Sequence, residues 1–178
     1  MRYSKTENIR VKNQIVNGLF TLLQNTPFSA VTISELVKTA NVARASYYRN
    51  FNNKEEILDY YFQSLRLRRN LTKDQDISLD YEHFNKGFEE AFKLFLNEKQ
   101  RITLLFNNGL SSYIYDWSLD QVIAVVGNMP ANSPERYRIN FFAGSIFSVL
   151  SEWLLSGTRE SPREMSDILS KYLMHGVL

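Results

Sequence analysis

The stretch "VTISELVKTANVARASYYRNFNNKEEILDYYF", residues 31–62, decides how the chain is read. Thr32 and Glu35 form a T-x-x-E pair ahead of an apolar run, the signature of a capping box that opens a helix at Ile33. Asn41 suits the left-handed conformation that ends such a helix. A short helix is expected over residues 43–49, and Asn53 with Glu56 caps a longer one that ends near Arg69. Arg66, Arg68 and Arg69 suit its negative C-terminal end. Ile33, Leu36, Val37, Val42, Tyr47, Phe51, Ile57 and Leu58 are spaced to hold these helices together, a helix-turn-helix with Tyr47 as the inward anchor of the short helix. A helix of two turns is a poor core element but fits the major groove of DNA. On it Arg44 and Ser46 can face outward, Arg to pair with guanine and Ser to bond several bases. Tyrosine and asparagine side chains such as Tyr48 and Asn50 can bond phosphate oxygens, and the helix opening at Lys54 sets a phosphate-attracting N-terminus beside a cation. The competing reading is a plain surface helix with Tyr47 and Tyr48 half-buried.

The charge distribution agrees with a polyanionic partner. Residues 1–73 hold 12 Lys/Arg and 5 Asp/Glu, a net of +7, whereas residues 74–178 hold 9 and 14, a net of −5. With 44% hydrophobic residues among 178, the chain can bury a core in one or two small domains. It has no cysteine, which excludes disulfides, thiol nucleophiles and Cys-containing metal sites and suits the cytosol. His83 and His175 lie far apart, so no metal site is expected. The polar start "MRYSKTENIRVKNQ" is not a signal peptide, and no apolar run reaches the ~20 residues of a membrane span.

Helical periodicity runs through almost the whole chain. In residues 5–24 it places Ile9, Lys12, Val16, Leu19, Phe20 and Leu23 on one stripe. Residues 70–78, "NLTKDQDIS", form the best boundary, followed by helices expected over 80–97, 99–107 and 112–127. After the loop "GNMPANSPE" (127–135), Ser133 and Pro134 are expected to start a helix that stops at Gly157. Ser161, Pro162 and Glu164 start the last one. This makes about nine helices, an all-α fold with no strands. "NFFAGSIFSVLSEWLL" (140–155) is apolar nearly all round, so it must be buried on every side, by its own chain or by a second copy.

The segment "TISELVKTANVARASYYRNFNNKEEIL" resembles the DNA-binding segment of the TetR family of bacterial transcriptional regulators. It matches the family pattern at Thr32, Leu36, Ala40, Val42, Ser46, Tyr48, Phe51, Lys54, Glu55 and Ile57, and the resemblance covers roughly residues 6–62. Asn41 stands where Gly is usual, Ala43 where Ser or Thr is common, and Asn50 where His is usual. The resemblance implies a three-helix helix-turn-helix domain over 1–53 and a regulatory and dimerisation domain over 54–178, with the helix 54–69 connecting them. It implies a cytoplasmic, non-enzymatic homodimer on a palindromic operator in double-stranded DNA. Repression is the family's usual action.

DNA contacts are then expected from Thr32, Ser34, Ala43, Arg44, Ala45, Ser46, Tyr48, Asn50 and Lys54. A four-helix dimer interface is expected from Phe141, Ser145, Ser148, Val149, Glu152, Trp153, Met165, Ile168, Leu169 and Tyr172. The aromatic residues Phe84, Phe88, Phe92, Phe106, Tyr113, Trp117 and Phe142 could line a pocket for a small-molecule effector, or form plain core. No cofactor and no catalytic motif is read. The alternatives are a coregulator whose C-terminal region responds to a protein partner, and an all-α enzyme or lipid-binding protein.

Overall fold

The computed structural model describes residues 5–68, 81–127 and 133–175, and every described regular element is helical. The boundary 70–78 and residues 128–132 of the loop lie outside the described residues. The helices are α1 Lys5–Leu22, α2 Ile33–Thr39, α3 Arg44–Tyr48, α4 Glu55–Arg68, α5 Tyr81–Asn97, α6 Lys99–Asn107, α7 Ser111–Val126, α8 Arg136–Leu155 and α9 Pro162–His175. A 3₁₀ turn, Phe28–Ala30, leads into α2.

Local signals set most boundaries. Thr32 and Glu35 form both halves of the capping box at α2. Asn41 takes φ 52°, the left-handed value that lets the chain turn from α2 to α3. Ser161 and Glu164 close a second capping box at α9. The start of α8 departs from expectation. Ser133 Oγ accepts from the Glu135 N–H at 3.3 Å, and the next backbone bonds, Arg136 N–H to Ser133 O and Tyr137 N–H to Pro134 O, are of the i→i+3 kind. Ser133 and Pro134 therefore form a turn ahead of a helix that begins at Arg136.

The α1 stripe buries Val11, Ile15, Val16, Leu19 and Phe20. Ile9, which periodicity placed on the same stripe, is 47% exposed. Gly18 is needed where α1 crosses the end of α2. A Cβ there would stand 2.8 Å from Ala40 Cβ and 3.0 Å from Ala40 Cα and N. The α2–α3 corner is held by Leu36 and Tyr47, both wholly buried, and α4 carries Ile57, Leu58, Tyr61 and Leu65 from it toward the C-terminal helices. One buried cluster extends from Val11 to Leu169 through α4. In the C-terminal half the broadest helix pairs are α5 with α9 and α7 with α8.

Candidate nucleic-acid interface

Tyr47 fixes the orientation of α3. It is fully buried, edge-on to Tyr48 at 5.2 Å and tilted against Phe51 at 6.2 Å. Its hydroxyl has no hydrogen-bond partner among the described residues, and burial pushes the phenol up to about 12. With Tyr47 inward, Ala43, Arg44, Ala45, Tyr48 and Arg49 are exposed. Arg44 does not wave in solvent. Its Nη1 donates to Ser34 Oγ at 3.0 Å, its Nη2 to the Tyr48 hydroxyl at 3.2 Å, and the guanidinium lies 5.6 Å from the Tyr48 ring centre. The three side chains bridge α2 and α3. A guanidinium has five N–H donors, so two bonds within the protein leave donors for a base edge or a phosphate.

Other residues of the expected contact set are engaged within the protein. Thr32 is exposed, and its hydroxyl donates to Glu35 Oε2 at 2.6 Å while accepting from the Glu35 N–H at 3.2 Å. The Glu35 carboxyl is held below its ordinary range by the Thr32 hydroxyl first and the Thr32 backbone N–H second. Ser46 does not face outward. It is buried, with its hydroxyl accepting from Arg49 Nη2 at 2.8 Å, because the Arg49 side chain folds back over α3. Asn50 donates through Nδ2 to Ser46 O at 2.8 Å, and its Oδ1 is buried without a partner among the described residues.

Lys54 is engaged within the protein as well. Its ammonium donates to the carbonyls of Phe28 at 2.5 Å, Ser29 at 3.2 Å and Val31 at 3.4 Å, and lies 4.7 Å from the Phe28 ring centre. It clamps the 3₁₀ turn to the start of α4. Two residues outside the expected set belong to this region. Arg49, the second arginine of "ARASYYRNF", adds an exposed cation to the end of α3. Asn108, 80 residues away in sequence from Phe28, accepts the Phe28 N–H at 2.8 Å. Nothing local in the sequence announces that second contact.

The C-terminal candidates separate by burial. Phe92 stands edge-on to Trp153 at 5.2 Å, Phe106 tilts on Phe147 at 6.3 Å, and Phe84 stacks on Phe88 at 6.1 Å. Phe142 belongs to a smaller cluster with Val122, Ile139 and Ala143. Tyr113 and Trp117 border an open groove of about 510 Å³ between α4 and α7, shared with Glu56, Asp59, Asp116 and Asp120. Burial raises the Asp59 carboxyl there, reinforced by Glu56 and Glu55. Of the expected interface residues, Trp153 is only 2% exposed and donates Nε1–H to Glu160 O at 3.0 Å, and Met165 and Leu169 are likewise buried. These three belong to the protomer's own core. Val149 and Ile168 lie at its edge. Phe141 is 64% exposed and Tyr172 49%, and Ser148 and Glu152 are exposed as well, with Ser145 half-buried.

Two family profiles account for most of the chain. Residues 15–61, the segment that builds this helix-turn-helix, match the bacterial regulatory proteins of the tetR family. Residues 82–175, more than half of the chain, match the C-terminal region of transcriptional regulators of the TetR type. The chain belongs to the TetR family. Its all-α fold, with an N-terminal helix-turn-helix and a C-terminal helical region, is that of a DNA-binding transcriptional regulator. The TetR-family chain is 26% identical over 96 residues to the HTH-type transcriptional regulator AlkX of Mycobacterium tuberculosis. That match spans 51% of this chain and 44% of AlkX, under half of the relative's length. A solved structure from Clostridium perfringens, provisionally assigned as a fatty acid metabolism regulator, shares the fold at a TM-score of 0.61. The two are 16% identical, and the similarity covers 93% of this chain and 98% of that one. Among the described residues no helix is long and apolar enough to cross a membrane.

Proposed function

We propose that the protein binds a palindromic operator as a homodimer, placing two copies of α3 in successive major grooves and repressing transcription until an effector engages the region 54–178. The observation that carries this reading is the outward cluster of Ser34, Arg44 and Tyr48, which presents a pre-set guanidinium on a helix too short for a core role. Residues 1–53 then form the DNA-binding domain, and Ala43, Ala45 and Arg49 lie on the same exposed face. Support for the homodimer comes from one stripe on α8, where Tyr137, Phe141, Ser145, Ser148, Glu152 and Leu155 recur at intervals of three and four residues. Tyr137, Phe141 and Leu155 are more than half exposed, the apolar area that a second copy would cover. Two protomers per duplex, measured by sedimentation of the complex with a selected DNA, is the expected result. One protomer per duplex with undiminished affinity would refute the dimeric reading.

A further inference from the structure

We propose that Asn108 is a positioning residue for DNA binding: from the end of α6, its carboxamide fixes the Phe28–Ala30 turn and with it the N-terminus of α2. The proposal rests on the reading above, in which α2 and α3 carry the DNA-facing surface.

The contact is built on both sides. Asn108 follows the last residue of α6, and its Nδ2 donates to Leu104 O at 2.9 Å, which sets the amide so that Oδ1 points away from the helix. Its backbone is anchored by a tight helix end. The Asn108 N–H donates to Leu104 O and Leu105 O, and the Leu110 N–H reaches back to Leu105 O at 2.9 Å. Gly109 supplies the positive φ of 70° that this turn requires. Oδ1 then accepts the part-buried Phe28 N–H at 2.8 Å. The carbonyl of the same residue accepts from Lys54 at the head of α4. Phe28 is thus held by its N–H to α6 and by its C=O to α4. The chain leaves it through the bond from Val31 N–H to Phe28 O and reaches the α2 cap, Thr32, four residues on. Any displacement of α6 must carry the turn with it or break the Asn108 bond. Removing the acceptor leaves a part-buried N–H without its partner and leaves the turn held from α4 alone, which loosens the height of α2 and, through Ser34, the bond that holds Arg44.

Two substitutions separate this role from simple capping of α6. Asn108→Ala removes both the acceptor and the donor. Asn108→Asp keeps an oxygen for the Phe28 N–H, loses the donor to Leu104 O, and puts a negative charge at a helix C-terminus, where the macrodipole disfavours it. The probe is a duplex selected by the wild-type protein from a random pool, with binding measured well below the melting temperature of every variant. Amide exchange at Phe28 is read without DNA. Asn108→Ala is expected to weaken binding about two- to tenfold and to speed Phe28 exchange by a similar factor. Asn108→Asp is expected to recover both while melting no higher than Asn108→Ala. Wild-type affinity in Asn108→Ala, or equal losses of affinity in the two variants, would overturn the proposal and leave Asn108 a helix cap. A wild-type protein that enriches no duplex would overturn the DNA reading itself, and the Phe28 exchange rates would show separately whether the contact forms.

Discussion

Arg44 is tethered within the protein itself. Its bonds to Ser34 and Tyr48 hold the guanidinium between α2 and α3, so less side-chain freedom is lost on binding than for a solvated arginine. Arg44→Ala is therefore expected to relax preference at one base pair per half-site by about 1–3 kcal/mol, measured by titrating single-base variants of the selected duplex. An equal loss on every sequence would make Arg44 a phosphate contact. Lys54 shows the limit of reading single residues. Its place in the family pattern suggests a phosphate contact, yet three carbonyls of the Phe28–Val31 segment already take its ammonium. Lys54→Ala is expected to lower unfolding stability by about 1–3 kcal/mol, because hydrogen bonds to a charged group are lost. The salt dependence of DNA binding should stay as in the wild type. A slope smaller by about 1 per subunit would return Lys54 to the DNA backbone. Ser46 is a related case: its place on the short helix allows an outward hydroxyl, but it is buried and its hydroxyl accepts from the folded-back Arg49.

At the scale of elements, what was legible was what is local. Thr32 with Glu35, Asn41, and Ser161 with Glu164 each act within four residues of themselves, and the structure places them as read. Which helix covers which face is decided by neighbours far along the chain. Trp153 lies on an all-round apolar helix whose sequence cannot tell its own core from a partner's. Phe92, on α5, decides it. Gly18 is a similar case, unremarkable in sequence and constrained only where α1 meets Ala40. Gly18→Ala tests that crossing. Alanine gains about 1 kcal/mol of helix propensity, but the added methyl meets backbone that no rotamer change can clear, and overpacking of this kind costs about 1–3 kcal/mol. A lowered urea midpoint and weaker operator binding are expected. An unchanged midpoint with unchanged binding would mean that α2 can shift without consequence for α3.

At the scale of the molecule, the same helix α8 has an inner and an outer face, and substitutions on the two should fail differently. Trp153→Glu puts a carboxylate into the protomer's own core and is expected to abolish folding, since both the lost packing and the unpaired charge are costly. Phe141→Glu lies on the exposed stripe. It should leave the circular dichroism spectrum intact and shift the sedimentation coefficient to that of a monomer. A Phe141→Glu protein that remains dimeric would move the interface off this face. The basic first 73 residues and the acidic remainder form a charge asymmetry that would draw the helix-turn-helix end toward a polyanion. The most direct measurement is selection of bound duplexes from a random pool by the purified chain. The prediction is one enriched motif of two inverted half-sites, their centres about one helical turn apart, roughly 34–36 Å or a multiple of it. Enrichment of no sequence, or of a single unrepeated site, would contradict it.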